Sequence, residues 1–384
     1  MIKDIILSEI YNSCKEKTIK VSMKTEKGVF SSAPPSGTSK SSYETKTLGI
    51  EKIKKYFPSI KKKFIGREEE EVDKIIKRTG AEKIGANLSI ALSIASIKAI
   101  TNNESYKFFH PHAKVFPYPL GNTIGGGVHS GYISEQEFLV IPVKARTIKE
   151  AVETNLSIWK EAGKILKPFL IGRNRENAWT CKLNDLKCLE ILNGIAENFG
   201  ARMGIDFAAN NIYNGRYYYR HPDRNFSAEE QLEFVLDLIK AYKLVYVEDP
   251  FQENDFESLA ILTKKAKRLI AGDDYFATQL YRLKRGVKKK AGNAIIIKPN
   301  QTGTISKTLE AVKLAKKSNF TTIVSHRSCE TVDDFISDLA VGIEAPIIKT
   351  GIYGKEREAK FKRLEKIWNK AVKPKMANLG KIFI

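Results

Sequence analysis

The stretch 291-AGNAIIIKPNQTGTIS-306 contains four apolar residues in a row, 294-AIII-297, which lead directly into Lys298. A short apolar run bounded by turn residues is typical of a strand buried on both faces, as in a parallel sheet. A strand buried in this way has no structural use for an ammonium group. Lys298 is therefore a candidate functional residue, and the rest of the chain indicates what surrounds it.

From about residue 115 onward, short apolar runs alternate with amphipathic segments long enough for helices. The candidate strands are 138-FLVIPV-143, 202-RMGIDFA-208, 244-LVYVEDP-250, 269-LIAGDD-274, 294-AIIIKPN-300, 321-TTIVSH-326 and 346-PIIKTG-351. Strands that alternate with helices at this density predict a parallel sheet. This number of strands favours a closed (β/α) barrel over an open doubly wound sheet, because the glycine-rich nucleotide fingerprint of the open sheet is missing.

Six of these runs end at their C-terminal side in an ionisable residue. These residues are Asp206, Glu248, Asp273, Lys298, His326 and Lys349. The C-terminal ends of barrel strands converge on the active site, so the six side chains are expected to face one another. A single acid at a strand end is as often the N-cap of the next helix, but capping does not explain lysines at matching positions.

The acidic members of this group suit a metal ion. Asp206, Glu248 and Asp273 supply three carboxylates, the hard oxygen ligands that Mg²⁺ prefers. Lys298, buried beside divalent cations and a second lysine, is expected to have a lowered pKa and to serve as a general base.

The basic members suit an anionic substrate. Lys298, Lys349 and His326 can hold an anion, and the neighbouring Arg327 and Ser328 are well suited to a phosphate. Together, the two sets predict a metal-dependent site for a phosphorylated or carboxylated molecule.

Composition restricts the class of protein. The chain has 384 residues, of which 42% are hydrophobic, and no run approaches the roughly 18 apolar residues of a membrane helix. The N-terminal sequence lacks a signal-peptide layout, so a cytoplasmic protein is expected. The formal net charge of +21 allows an anionic partner, either nucleic acid or a small molecule. A solvated lysine-rich surface is favoured, because the lysines are spread along the chain without an arginine-rich tail.

The four cysteines are far apart and form no CxxC pair. They are Cys14, Cys181, Cys188 and Cys329. This spacing supports neither a zinc knuckle nor a disulfide framework, so we expect reduced cysteines in a reducing compartment.

The first hundred residues have a different pattern. Residues 18–33 alternate β-branched and polar residues on either side of Lys-Gly, which predicts a hairpin. The stretch 34-PPSGTSKSS-42 has the composition of a loop. Residues 83–100 are apolar nearly all round, which predicts a well-buried helix.

Several long motifs together resemble the enolases, the phosphopyruvate hydratases of glycolysis. The motifs are 35-PSGTSKSSYE-44, 83-KIGANLSIALSIASIKA-99, 116-FPYPLGNTIGGGVHSG-131, 136-QEF-138, 247-VEDPFQENDFES-258, 271-AGDDYFAT-278, 295-IIIKPNQTGT-304, 324-VSHRSCETVDDFISDLAVG-342 and 348-IKTG-351. The resemblance covers most of the chain. It implies an α/β fold with an enolase-type (β/α)8 barrel at 115–384, preceded by a smaller α+β domain at 1–114 that carries the mobile loop 34–42.

The resemblance implies a hydro-lyase that removes the C2 proton of 2-phosphoglycerate and then the C3 hydroxyl, giving phosphoenolpyruvate. It implies two Mg²⁺ ions, the second arriving with the substrate, held by Asp206, Glu248 and Asp273. The implied catalytic residues are Lys298 as the base, Glu176 as the acid, and Glu137 and His129 on the leaving-group side. The implied substrate contacts are Ser39, His326, Arg327, Ser328 and Lys349.

Some segments depart from the family pattern. The chain reads 172-GRNRENAWT-180 where the family has a Gly-Asp-Glu-Gly-Gly loop, and Lys40 and Ser41 where it has Thr and Gly. Cys329 replaces a glycine. The segments 12-NSCKEKT-18 and 363-RLEKIWNKA-371 differ from those that meet at the family's dimer interface. The usual dimer of the family is therefore in doubt, and a homo-oligomer with an altered interface stays an open alternative.

Three functions follow from these observations. The first is an enolase with an intact catalytic set. The second is a diverged paralogue that acts on another phosphorylated or sulfonated 2-substituted carboxylate, motivated by the changes at Lys40 and around Glu176. The third is a non-catalytic anion-binding or RNA-binding homologue, which ranks last because loss of catalysis would have eroded the strand-end residues. The expected partner is a small anionic substrate, with neither a membrane nor nucleic acid.

Overall fold

The N-terminal part of the chain is a three-stranded antiparallel sheet packed against helices. The computed structural model describes residues 1–37, 41–127, 132–220 and 223–380. The strands of this part are β1 (Ile2–Tyr11), β2 (Lys17–Thr25) and β3 (Gly28–Ser32). Its helices are α1 (Ile50–Lys61), α2 (Val72–Thr79), α3 (Ala81–Ile84), α4 (Ala86–Ile100) and α5 (Tyr106–Phe109).

Two N-terminal predictions can be compared with these elements. The predicted hairpin is present, because β2 and β3 pair antiparallel with Thr25 opposite Gly28. The predicted helix over 83–100 is divided by Gly85, whose φ of +93° ends α3 and precedes α4. Such a φ is accessible to glycine at little cost and breaks the α-helical path. The long helix therefore begins at Ala86.

Beyond residue 114, strands and helices alternate. The strands are β4 (Val115–Phe116), β5 (Tyr118–Gly125), β6 (Glu137–Ile141), β7 (Leu170–Arg173), β8 (Trp179–Cys181), β9 (Arg202–Asp206), β10 (Tyr217–Arg220), β11 (Asp223–Phe226), β12 (Tyr246–Glu248), β13 (Leu269–Gly272), β14 (Ala294–Ile297), β15 (Thr321–Ser325), β16 (Ile347–Gly351) and β17 (Lys375–Met376). The helices are α6 (Ile148–Ile165), α7 (Asp185–Asn198), α8 (Ala228–Ala241), α9 (Phe256–Ala266), α10 (Leu280–Lys289), α11 (Ile305–Lys317), α12 (Phe335–Gly342) and α13 (Lys355–Lys370).

Eight of these strands close into a barrel, which confirms the predicted fold. Their order is β5, β6, β9, β12, β13, β14, β15 and β16, and β16 pairs back to β5. Strand β6 runs antiparallel to both of its neighbours, and the other pairs are parallel. All seven predicted runs are barrel strands. The eighth, β5, was missed because Pro119 and Gly121 interrupt its apolar pattern.

Strand β14 shows why a barrel strand reads as a continuous apolar run. All four of its residues are fully buried. Ala294 and Ile296 pack inside the barrel with Leu120, Ile323 and Ile347, among others, whereas Ile295 and Ile297 belong to the core between the strands and the helices. Burying each isoleucine contributes about 1.5 to 3 kcal/mol. Side chains alternate along a strand, so Lys298 follows Ile296 on the barrel side.

The N-terminal part is fastened to the barrel close to the strand ends. Cys14 and Cys329 form a disulfide with a Cα–Cα distance of 5.2 Å and a sequence separation of 315. The expectation of no disulfide was therefore wrong, because spacing along the sequence cannot report a contact between such distant residues. Cys181 and Cys188 are free and buried.

Further contacts join the same two parts of the chain. Ser36 and Cys329 exchange backbone hydrogen bonds at 3.0 and 3.1 Å, and Ser13 donates its N–H to the Glu330 carbonyl at 2.7 Å. The Lys98 ammonium pairs with Asp333 at 2.8 Å in a poorly exposed position. The division of the chain between residues 114 and 115 stays a prediction. Within the part of the chain that the structure describes, no helix is long and apolar enough to cross a membrane.

Candidate active site

The predicted strand-end residues meet at one end of the barrel. Register places Asp206 of β9 opposite Glu248 of β12, and Ser325 of β15 opposite Lys349 of β16. Glu137 also lies opposite Asp206. It begins β6 instead of ending it, and the reversed direction of β6 is what brings its first residue to the C-terminal ends of the other strands.

Lys349 is the centre of this group. Its Nζ lies 2.8 Å from Asp206 Oδ2, 2.7 Å from Glu248 Oε2 and 3.0 Å from Glu137 Oε2. All four side chains are buried. Burial opposes the charge of Lys349, but the three carboxylates outweigh it and raise the lysine pKa well above its usual value. Lys349 is therefore a fixed cation within a carboxylate cluster.

Lys298 donates a hydrogen bond from Nζ to Asp273 Oδ2. Burial lowers the pKa of Lys298, but the Asp273 carboxylate outweighs burial and the net shift is upward. The nearest charge to the ammonium in this structure is an acid, so the lowering that was expected beside divalent cations stays a prediction for the metal-bound site. Asp273 is itself held by Gln301, which donates to Oδ1 at 3.1 Å.

Two further acids, Asp249 and Asp274, belong to the cluster and were missed by the sequence analysis. Carboxylate oxygens of Asp206, Glu248 and Asp249 lie within 4.8 Å of one another, as do those of Asp249, Asp273 and Asp274. Asp249 has a φ of +43° and accepts the backbone N–H groups of Asp273 at 3.0 Å and Asp274 at 2.8 Å. This unusual backbone conformation positions the end of β13. Its position directly after Glu248 was the available signal.

The donor set fits a divalent metal. The cluster contains six acids, Glu137, Asp206, Glu248, Asp249, Asp273 and Asp274, and two lysines, Lys298 and Lys349. Glu248 Oε1 is buried and has no hydrogen-bond partner among the described residues. Burial and then Asp206 raise the pKa of Glu248 to about 7, and burial and then Asp273 raise that of Asp274 to about 8. An unpaired carboxylate oxygen in a group rich in negative charge is the environment that a hard cation stabilises.

A second side of the cavity is formed by His326 and Glu176. His326 Nδ1 accepts the Gly351 N–H at 3.3 Å, and His326 Nε2 lies 3.5 Å from Glu176 Oε2. Burial lowers the histidine pKa well below its usual value. Burial would raise the pKa of Glu176, but His326, Arg357 and Lys349 outweigh it and lower the pKa to about 2. Glu176 is therefore an ionised carboxylate.

Glu137 behaves in the opposite way from Glu176. Burial and then the nearby Glu176 charge raise the pKa of Glu137 well above its usual range. The two carboxyl groups line the same cavity, and their environments separate their pKa values. Neighbouring carboxyl groups whose pKa values are shifted in opposite directions are typical of the acid–base pairs of active sites.

Arg327 and Ser328 complete this side. Two nitrogens of Arg327 contact the two carboxylate oxygens of Glu44, each at 3.0 Å, in a bidentate ion pair. Gly37 packs so closely on this guanidinium that a Cβ atom would lie 1.9 Å from Arg327 Nη2. Arg357 donates to the Ser328 carbonyl at 3.0 Å. Glu44 and Arg357 were not predicted, since neither lies at a strand end.

The segment that carries Glu176 is a tight loop between β7 and β8. Asn174 Oδ1 accepts the backbone N–H groups of Glu176 at 2.9 Å and Ala178 at 3.0 Å. Asn177 has a φ of +64°, a conformation that asparagine tolerates well. Asn122 donates to Glu176 Oε2 at 3.2 Å. These contacts place Glu176 in the cavity although the loop departs from the family pattern.

A stack of aromatic rings supports the same loop from outside. Trp159 stacks on Trp179 and on Tyr353 with ring centroids 4.5 Å apart in each case. Trp159 Nε1 donates to the Asn177 carbonyl at 3.0 Å. The Arg173 guanidinium lies over Tyr353 at 5.1 Å from the ring centroid. The loop is thus anchored by packing on α6 and on the turn before α13.

Ten of the twelve predicted site residues can be placed. Nine of these ten line a single cavity with an empty volume of about 590 Å³, and the tenth, Glu248, contacts Lys349 of that cavity. The nine are Glu137, Glu176, Asp206, Asp273, Lys298, His326, Arg327, Ser328 and Lys349. His129 and Ser39, together with Lys40, lie outside the described residues.

The fold and this cavity define a class of protein: a barrel enzyme whose strand ends combine acids with lysines and whose loops supply arginine. Comparison with known proteins agrees. The enolase C-terminal TIM barrel domain family matches residues 113–378. An enolase of Archaeoglobus fulgidus is 37% identical, covering 98% of this chain and 99% of the relative. An enolase of Methanosphaera stadtmanae is 38% identical, covering 99% of each. The chain belongs to the enolase family, and it is a lyase.

Proposed function

We propose that this chain catalyses the reversible dehydration of 2-phosphoglycerate to phosphoenolpyruvate with Mg²⁺. The observation that supports it most strongly is the division of one cavity into two halves. One half combines the acids with Lys298 and Lys349, and the other combines Arg327 and His326. A molecule with a carboxylate at one end and a phosphate on the neighbouring carbon matches this division of charge.

The acidic half would hold the metal. Asp206, Glu248 and Asp273 are the proposed ligands, and two ions are proposed, the second arriving with the substrate. Mg²⁺ would stabilise the negative charge that develops on the substrate carboxylate when the C2 proton leaves.

The chain's own residues would move the protons. Lys298, as a neutral amine, takes the proton from C2, and Asp273 is the group that governs how readily its ammonium form loses a proton. Lys349 holds the substrate carboxylate. Glu176 is the proposed acid for the departing hydroxyl. Because its carboxylate is ionised, it would first have to take up a proton, and Glu137, whose pKa is raised, is the carboxyl group of the same cavity that favours holding one.

The positive half would hold the phosphate. Arg327 offers a planar fork that matches phosphate oxygens, with His326 and Ser328 beside it. Glu44, which follows the loop at 34–42 in the sequence, is paired with this guanidinium in the structure. A bound phosphate would either displace Glu44 or share the guanidinium with it. Ser39 and His129 are proposed to contact the substrate, as the family resemblance implies, and closure of the loop at 34–42 would exclude water.

The first experiment follows the absorbance of phosphoenolpyruvate after purified protein is mixed with 2-phosphoglycerate, with and without Mg²⁺. Turnover that is abolished by a chelator and restored by Mg²⁺ supports the proposal. A folded protein that binds Mg²⁺ without turnover contradicts it.

A diverged paralogue is the second candidate, and Arg175 on the cavity wall is the observation that favours it, because it adds a positive charge. This candidate predicts a higher kcat/KM for another phosphorylated or sulfonated 2-substituted carboxylate than for 2-phosphoglycerate. The same assay with a panel of such acids separates the two. A cytoplasmic location and an altered homo-oligomeric interface remain predictions.

A further inference from the structure

Arg175 lines the candidate active site but has no role in the function proposed above. It follows Asn174 in the loop between β7 and β8 and lines the same cavity as Lys298, Arg327 and Ser328. Its side chain is 43% exposed. The strand-end pattern could not identify it, because it lies in a loop rather than after an apolar run.

The contacts of Arg175 leave its guanidinium available. Among the described residues, Nη1 lies 3.7 Å from Glu16 Oε1 and 3.9 Å from Cys329 Sγ. Both distances are too long for a strong charge-assisted hydrogen bond, which spans about 2.7 to 2.9 Å. Glu16 is itself half exposed. The two contacts place the guanidinium beside Cys329. Both involve Nη1, so they leave other N–H groups of the guanidinium for a ligand.

The neighbouring arginines are much less exposed than Arg175, with relative accessibilities of 4% for Arg327 and 1% for Arg357. Arg327 makes the bidentate pair with Glu44 and also contacts Asn300 Oδ1 at 3.3 Å. Arg357 is buried and donates to the Ser328 carbonyl. Arg175 is therefore the more accessible guanidinium on this side of the cavity.

We propose that Arg175 is a specificity-determining residue that binds the phosphoryl group, or an equivalent oxyanion, of the substrate. The inference rests on the proposed function for its substrate. The Asn174 side chain and the Trp159–Trp179–Tyr353 stack hold the loop, so the guanidinium is presented to the cavity with little ordering cost. The substrate class is a small carboxylate that carries a second, strongly anionic group.

The test compares Arg175→Gln and Arg175→Lys with the wild-type chain, all with Mg²⁺ and at one ionic strength. The matched control is Lys182→Gln, which removes one exposed positive charge nearby without touching the cavity. The measurements are KM and kcat for 2-phosphoglycerate, the inhibition constant of inorganic phosphate, and the dissociation constant of inorganic phosphate by calorimetry.

Arg175→Gln is expected to raise KM and both phosphate constants about ten-fold, the effect of losing a charge-assisted hydrogen bond. The value of kcat should change about two-fold or less, because the contact is present before and during the reaction. Arg175→Lys should keep part of the affinity, since it retains the charge but not the planar fork. Lys182→Gln should match the wild type.

Unchanged phosphate constants in Arg175→Gln overturn the inference, and so does an equal loss in Lys182→Gln. A fall in kcat and thermal stability at unchanged phosphate affinity assigns Arg175 a structural role and also overturns it. If wild-type protein binds inorganic phosphate but does not turn over 2-phosphoglycerate, the proposed function fails. A loss of phosphate affinity in Arg175→Gln then still supports the role of Arg175.

Discussion

The two halves of the cavity are built by different means. The strand-end cluster, made of Glu137, Asp206, Glu248, Asp273, Lys298 and Lys349, is set by the pairing of neighbouring barrel strands. The loop wall, made of Glu44, Arg175, Glu176, Arg327 and Ser328, is assembled from loops and from the N-terminal part of the chain. The strand-end cluster therefore depends on strand register, whereas the loop wall depends on contacts between residues far apart in the sequence.

Replacing Lys298 by alanine is the most direct way to break the strand-end cluster. We expect turnover of 2-phosphoglycerate to fall by about 10³ to 10⁴-fold, or about 4 to 5.5 kcal/mol, because the base would be lost. The measurement is kcat from phosphoenolpyruvate absorbance. Lys284→Ala, an exposed lysine on α10, should keep full activity. A ten-fold loss or less in Lys298→Ala would assign the base elsewhere.

Replacing Lys349 by methionine tests the charge balance of the same cluster. Three buried carboxylates would lose their shared cation, which is expected to lower the free energy of unfolding by about 3 to 5 kcal/mol. Urea unfolding measures the change, with the exposed Lys366→Met as the control. Mg²⁺ should stabilise Lys349→Met more than the wild type, because the ion can replace the lost charge. Equal stabilisation of both proteins would argue against a shared metal site.

The Cys14–Cys329 disulfide allows a test of the loop wall, because Cys329 adjoins Ser328. Reduction of Cys14–Cys329 is expected to lower the free energy of unfolding by about 4 kcal/mol, since it releases a long closed loop in the unfolded chain. A dithiol reductant should shift the urea midpoint of the wild type to the value of Cys14→Ser, and should not affect Cys14→Ser itself. We also expect KM to rise, because Cys329 adjoins Ser328. The prediction would be contradicted if the reductant left the urea midpoint of the wild-type protein unchanged.

The smallest predicted effect is the acid sensitivity of Glu176. Its folded-state pKa of about 2 lies below its unfolded value, so its charge stabilises the fold above about pH 4.5. That contribution, up to about 3 kcal/mol, is lost as the pH falls from 4.5 towards 2. Urea unfolding at pH 6 and pH 3.5 should show a smaller decrease for Glu176→Gln than for the wild type. An equal loss of stability in the wild type and in Glu176→Gln would show that the charge of Glu176 does not stabilise the fold.

The strand-end cluster could be predicted from the sequence more completely than the loop wall. Asp206, Asp273, Lys298 and Lys349 were predicted to meet because each follows an apolar run, and parallel strands bring those positions together. Glu137 came only from the family resemblance. It is the first residue of its strand, and nothing in the local pattern indicates that β6 runs antiparallel.

Other features depend on contacts that the sequence does not encode locally. The direction of the Lys298 pKa shift depends on the Asp273 contact, which forms only after folding. Glu44 and Arg175 lie in loops whose course is set by distant partners. The bridge between Cys14 and Cys329 spans 315 residues, and no spacing rule reaches that far.

The same bridge also determines how the chain can be cut. Residues 14 and 329 are bonded, so the backbone between them is a covalent ring. A protease that cuts once inside this ring opens it but releases no fragment. Both new ends stay attached through Cys329, next to Arg327. A second cut within the ring or a reductant is needed before the two fragments of the ring can separate, so a molecule cut once within the ring keeps its N-terminal strands tethered to the cavity.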